Sequence, residues 1–281
     1  MVWEKLFTDI ASLWSKNWVS YMSGIRNTLV LAVIATLIGC VIGLACGVLQ
    51  TIPHNKTDNP VKRFFLCLVR VLVRAYIEIF RGTPMILQAV FINFGLPYFT
   101  NNEMRFDNIW MVSLLVVSIN TGASMGETVR GGILSIPLGQ TEGAKAIGMN
   151  HLQTMTSVIL PQALRNIMPQ IGNNLIINIK DTSVMFIIGF TEFFAAHRTI
   201  VGFTNAFFPS AVIEMVGYLT MTLFFSFLLR FIEKKMDGKG NYELVQKGPI
   251  TLSAGTYRHP GKGSPVDEHS KEFGKKGKGV R

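Results

Sequence analysis

Two sets of polar side chains recur at helical spacing inside otherwise apolar sequence. Gln170, Asn174, Asn178 and Asp181 fall at i, i+4, i+8 and i+11, one face of a helix. Asn120, Ser124 and Glu127 fall at i, i+4 and i+7 and form a second stripe. Amides donate and accept, hydroxyls do both, and a carboxylate holds an ammonium. Such groups bind a polar solute; they do not break bonds. The same residues could instead tie helix to helix, with Lys180 pairing to a carboxylate and Glu127 to Arg130. Bond-making chemistry has no candidate. There is no G-x-x-x-x-G-K-[ST] phosphate loop. No Ser-His-Asp or Cys-His arrangement has supporting context, and Glu192 and His197 do not read as a metal site. The expectation is no catalytic residue, no metal and no cofactor in this chain.

The elements that carry these residues must lie in a membrane. Of 281 residues, 49% are hydrophobic and 16% charged, with 20 phenylalanines and 13 methionines. A soluble chain carries about 25% charged residues, and disorder requires low hydrophobicity. Both classes are excluded as descriptions of the whole chain. The net charge of +10 is uneven. Arg230 to Arg281 holds twelve Lys/Arg against six Asp/Glu, so this end carries +6. Basic charge at a membrane end sets topology or meets anionic lipid, and no nucleic-acid partner is expected. Cys40, Cys46 and Cys67 sit in apolar runs without a disulfide framework. The Leu37-Ile38-Gly39-Cys40 stretch is not a lipoprotein cleavage site, because the apolar run continues to Ile52.

The chain reads as an all-α membrane protein of about five transmembrane helices. An interfacial segment (1–21) carries Trp3, Trp14 and Trp18. The membrane domain is 22–236. Its spans are expected at about 24–51, 84–98, 110–130, 166–190 and 209–232. In the first, Gly39, Gly43 and Gly47 give a smooth face for close helix packing. Arg70, Arg74 and Glu78 make one stripe of an amphipathic helix before the second span, expected at the inner surface before it turns inward. The alternate sets of connections hold nine Lys/Arg (Lys56, Lys62, Arg63, Arg70, Arg74, Arg81, Arg130, Lys145, Arg165) against five (Lys5, Lys16, Arg26, Arg105, Arg198). The richer side is cytoplasmic, so the N-terminus is outside and the C-terminus inside. Residues 237–281, rich in Gly, Lys, Ser and Pro, read as a basic, disordered cytoplasmic tail.

Between the third and fourth spans, residues 139–161 are too polar to cross a bilayer and too patterned for a random loop. Gln140, Glu142 and Lys145 suit a helix that Gly148 ends in a left-handed turn. Glu142-Gly143-Ala144, Gly148, Val158, Leu160 and Pro161 resemble, with matching spacing, the EAA loop of ABC-importer permeases. Gly143 replaces the first of the two alanines and Val158 an isoleucine. Three further motifs resemble those of polar amino-acid permeases: Phe80-Arg81-Gly82-Thr83-Pro84, Glu127 with Arg130-Gly131-Gly132, and Lys180-Asp181-Thr182-Ser183. The resemblance covers about residues 20–235.

The resemblance implies the transmembrane permease subunit of a bacterial ABC importer for polar amino acids, in the cytoplasmic membrane. Its partners would be ABC ATPase subunits that bind ATP and Mg, an extracytoplasmic amino-acid-binding protein, a second copy of itself or a related permease, and membrane lipid. Glu142, Gly143, Ala144, Gly148, Leu160 and Pro161 would belong to the cytoplasmic coupling loop. Solute contacts would come from Asp181, Asn178, Asn174, Ser124 and Asn120. One carboxylate among amides favours glutamine over cationic amino acids. Two other classes compete: an ion-coupled secondary transporter with Asp181 and Glu127 as proton carriers, and a non-transport scaffold or sensor. Odd spans without a repeat oppose the first. Two intramembrane polar stripes oppose the second.

Overall fold

The computed structural model of the chain describes residues 2–52 and 59–236. Among the described residues every regular element is helical. The expectation of a disordered tail at 237–281 falls outside them.

Helix α1 runs unbroken from Val2 to Thr51. No proline and a single glycine, Gly24, precede Gly39, so nothing stops the helix at the expected boundary near residue 21. Leu13 and Tyr21 of the expected interfacial segment are buried with Phe193, Ile200, Ile213 and Met221. The Trp14 ring stacks on Tyr21, and Trp3, Trp14 and Trp18 are all exposed.

α2 spans Pro60–Gly82, capped by the Asn59 side chain on the Val61 N–H, with proline at its first position. The Arg70 guanidinium donates to the Ile52 carbonyl just beyond the end of α1. At the other end of α2, the Tyr76 hydroxyl donates to the Ile119 carbonyl at 2.6 Å. Ile119 lies near the middle of α5 (Ile109–Leu134). α2 therefore does not stay at a surface; its last two turns reach the mid-depth of the bundle. It stops at Gly82, where Thr83 and Pro84 are extended. The chain resumes as α3 (Met85–Val90), a π-turn and α4 (Leu96–Phe99). That 15-residue helix, 85–99, is about 22 Å long at 1.5 Å per residue. Alone it is shorter than the ~30 Å hydrocarbon layer. The segment expected as the second span is thus short, and the end of α2 precedes it across the break.

α1 and α5 make the most extensive helix pair. A Cβ on Gly39, Gly43 or Gly47 would fall 2.6, 2.3 or 2.5 Å from Thr121, Met125 or Val129 side-chain atoms. No side chain fits there, which is why the glycine face permits this approach.

After α5 come α6 (Leu138–Ala146), α7 (His151–Thr154), a π-turn, and α8 (Leu160–Asp181). The fourth span was expected to run helical to residue 190. α8 instead ends at Asp181, followed by a 3-10 segment, Thr182–Ile188, that Gly189 closes at φ 88°. Between the expected fourth and fifth spans lies α9 (Phe193–Thr204), and α10 runs Phe207–Met236. By length and composition, α1, α5 and α10 can each cross a membrane. The α8–α9 run, bent by 51°, makes a fourth if it is one span. The count of five is reached only with the broken α2–α4 segment.

Candidate functional site: the α5 and α8 polar faces and the 138–160 hairpin

The two predicted stripes sit on neighbouring helices, but their amides are largely engaged by protein. Asn178 is buried; its Nδ2 donates to Thr36 Oγ1 at 2.7 Å and lies 3.0 Å from Thr121 Oγ1. One side chain thereby joins α8 to α1 and α5. Asn174, also buried, donates to the Gln170 carbonyl at 3.0 Å and meets Met125 Sδ at 3.1 Å. Asn120 donates to the Phe80 carbonyl at 3.1 Å and to Gln88 Oε1 at 3.2 Å. Buried amides in a membrane protein find such partners because unpaired ones are costly there.

Ser124 and Asp181 are half-buried. Glu127, also half-buried, is held by Arg130 one turn along α5 through two N–H donors. The polar face that α8 leaves open is Asn166, Gln170, Asn173 and Lys180. It shares Gln170 with the predicted stripe but holds Asn173 where the stripe has the buried Asn174, and exposed Lys180 beside half-buried Asp181. Asn173 and Asn174 are adjacent, so the sequence contained both faces; periodicity alone could not say which one packs.

The 138–160 region is a rigid hairpin. Gly148 takes φ 84°, the Gly148 N–H donates to Lys145 O at 3.0 Å, and the Met149 N–H donates to Ala144 O at 3.1 Å. This Schellman closure satisfies the last carbonyls of α6. Asn150 and Gln153 then cap α7 reciprocally at 2.9 Å each way. Met155, Ile159 and Ala163 bury against Val129, Ile133 and Ile136, fixing the hairpin's base to the end of α5. Glu142, Gly143 and Gly148 are exposed, Ala144 is buried, Leu160 is half-buried and Pro161 is exposed. Leu138, Ile147 and Leu152 are 78%, 79% and 70% exposed. The motif spacing gave no sign of these three exposed aliphatic side chains.

Glu192 and His197 have structural duties. Glu192 caps α9 by accepting from the Phe194 and Ala195 N–H groups at 2.7 and 2.6 Å, and Tyr218 donates to it at 2.9 Å. His197 Nδ1 lies 2.9 Å from Ser210 Oγ, which also meets Tyr21. Its Nε2 is 3.6 Å from Glu214. No group of His, Cys, Asp and Glu suited to a metal ion occurs among the described residues.

Apolar helices carrying intramembrane polar faces, with a capped polar hairpin between two of them, define a multi-pass membrane protein of the permease type. Residues 62–238 match the family described as binding-protein-dependent transport system inner membrane component, and the chain belongs to that family. It is a permease subunit and not an enzyme. It is 36% identical over 228 residues to the glutamine transport system permease protein GlnP of Escherichia coli (strain K12), across 79% of this chain and 97% of that protein. The putative GlnP of Rickettsia typhi is 32% identical over 216 residues, 76% of this chain and 92% of the relative. Among solved structures, an amino acid ABC transporter with histidines matches at TM-score 0.68 and 31% identity, covering 79% of this chain and 96% of that one. The MetNI methionine ABC transporter matches at TM-score 0.63 and 20% identity, over 77% and 95% of the two chains, a likeness of fold.

Proposed function

We propose that the chain is the membrane subunit of an ATP-driven importer of polar amino acids, with glutamine as the favoured solute, in the cytoplasmic membrane of a bacterium. The observation that carries this reading is the hairpin. A turn locked by Gly148, a reciprocal cap at Asn150 and an apolar base on α5 make a lever with an exposed tip. Such a lever passes movement from a cytoplasmic ATPase into the bundle. Glu142, Gly143, Ala144 and Gly148 shape the tip, and Leu160 and Pro161 begin the helix that carries Asp181. ATP and Mg belong to the ATPase, and an external binding protein delivers the amino acid. A second permease subunit, identical or related, completes the path.

Within the path, Asp181 holds the α-ammonium that every amino acid carries, and Ser124 lies on the opposing helix. Asn120, Asn174 and Asn178 shape the wall from behind, their amides bonding neighbouring helices. The open amides Gln170 and Asn173 suit an uncharged amide side chain. A cationic side chain would need a second carboxylate, and Glu127 is already paired to Arg130. Support for glutamine comes also from the relatives that carry its name.

The test is reconstitution of the chain with its ATPase and binding protein in liposomes. ATP-dependent glutamine uptake, competed weakly by arginine, is the expected result. Uptake that follows an ion gradient without ATP would overturn the proposal.

A further inference from the structure

We infer that Gln88 is a positioning residue for the solute path: with Asn120 it holds open the break between α2 and α3, and the break sets Arg81 where the solute's carboxylate passes. This rests on the transport reading above.

The break begins with Pro84. The Phe80 carbonyl would normally accept from the N–H four residues on, but that residue is Pro84, which has none. Thr83 (φ −119°, ψ 143°) and Pro84 (φ −62°, ψ 135°) are extended, so the helix cannot continue. Three carbonyls at the end of α2 and in the break take their donors from side chains. Ile79 O takes the Thr83 hydroxyl at 2.8 Å. Gln88 Nε2 lies 2.9 Å from Phe80 O, from Thr83 O and from Thr83 Oγ1. Asn120 Nδ2 reaches Phe80 O from α5 and closes the network on Gln88 Oε1. Gln88 is buried at 8% exposure, so this amide has no other role toward solvent. At membrane depth, irregular backbone persists only where protein satisfies it or it lines a cavity.

On its far side the break is open. Arg81, Gly82, Thr83 and Pro84 are all exposed, and a Cβ on Gly82 would meet nothing within 4 Å. Phe80 is bonded to Asn120, one turn from Ser124 on α5. Arg81, the next residue after Phe80, is therefore close to the depth of the α5 polar face. A guanidinium at that depth needs water or an anion. A zwitterionic amino acid brings a carboxylate, which the planar guanidinium can hold with two parallel bonds. Arg81 takes that end of the solute and Asp181 the ammonium. Interrupted helices at the membrane midplane serve transporters in this way.

The test uses the full assembly in liposomes with radiolabelled glutamine. In Gln88→Met and Gln88→Glu, glutamine moved per ATP should fall roughly tenfold while binding-protein-stimulated ATPase stays within about twofold, and in Arg81→Gln glutamine moved per ATP should fall roughly tenfold. Gln88→Met combined with Asn120→Leu should be no worse than the worse single variant, because both act on one network. An unchanged ratio in both Gln88 variants overturns the inference, and an unchanged ratio in Arg81→Gln overturns the carboxylate contact. Equal loss of ATPase and uptake, or loss of both Gln88 variants from the membrane, makes Gln88 a folding residue only and also overturns it. If the wild-type assembly moves no glutamine, the transport reading itself fails.

Discussion

Asp181 and Asn178 lie on one helix and do different work. Asn178 is buried and bonded to α1 and α5; Asp181 is half-buried. Asp181→Asn keeps the shape and removes the charge. Uptake should fall by about 1.5–3 kcal/mol of lost charged hydrogen bonding, for every amino acid carried. Thermal unfolding in detergent should be unchanged. Asn178→Leu should behave in the opposite way. It removes the partner of the Thr121 hydroxyl and the donor to Thr36 Oγ1, and should lower stability by about 1–3 kcal/mol, read as a fall in unfolding temperature. If Asp181→Asn transports normally, the ammonium is held elsewhere.

Helices depend here on small residues at two kinds of place. Gly43 is one, where a Cβ would overlap Met125. Gly43→Leu should force α1 and α5 apart and lower the unfolding temperature, overpacking typically costing about 1–3 kcal/mol. Gly143→Ala, with nothing within 4 Å of a new Cβ, should leave it unchanged. Gly148 is the other, needed for its φ of 84° and not for space. Gly148→Asp, and independently Glu142→Lys at the exposed tip, should leave the protein in the membrane and abolish binding-protein-stimulated ATPase. Wild-type stimulation in both variants would remove the docking role of the hairpin. Replacing Leu138, Ile147 and Leu152 by serine should weaken co-purification with the ATPase.

Across the whole molecule, the arginines and lysines flanking the helices set orientation. With the Lys/Arg-rich connections inside, a cysteine at residue 150 should react with an impermeant reagent only after permeabilisation. One at residue 102 should react in intact cells. The reversed pattern would overturn the orientation.

The class of the molecule, the glycine face on α1 and the hairpin turn were legible in the sequence alone. These follow from composition, from periodicity and from single residues, Gly43 and Gly148, whose chemistry allows few alternatives. It also named the two helices that carry the polar groups. Which face of each helix is open depends on how the helices pack. Asn173 and Asn174 are neighbours, and a rotation of one residue exchanges a buried residue for an exposed one. Nor could the sequence show that Gln88 and Asn120 meet at the Phe80 carbonyl. That contact joins residues 32 and 40 positions apart, and no local pattern encodes a bond that exists only once α3 and α5 converge on the break.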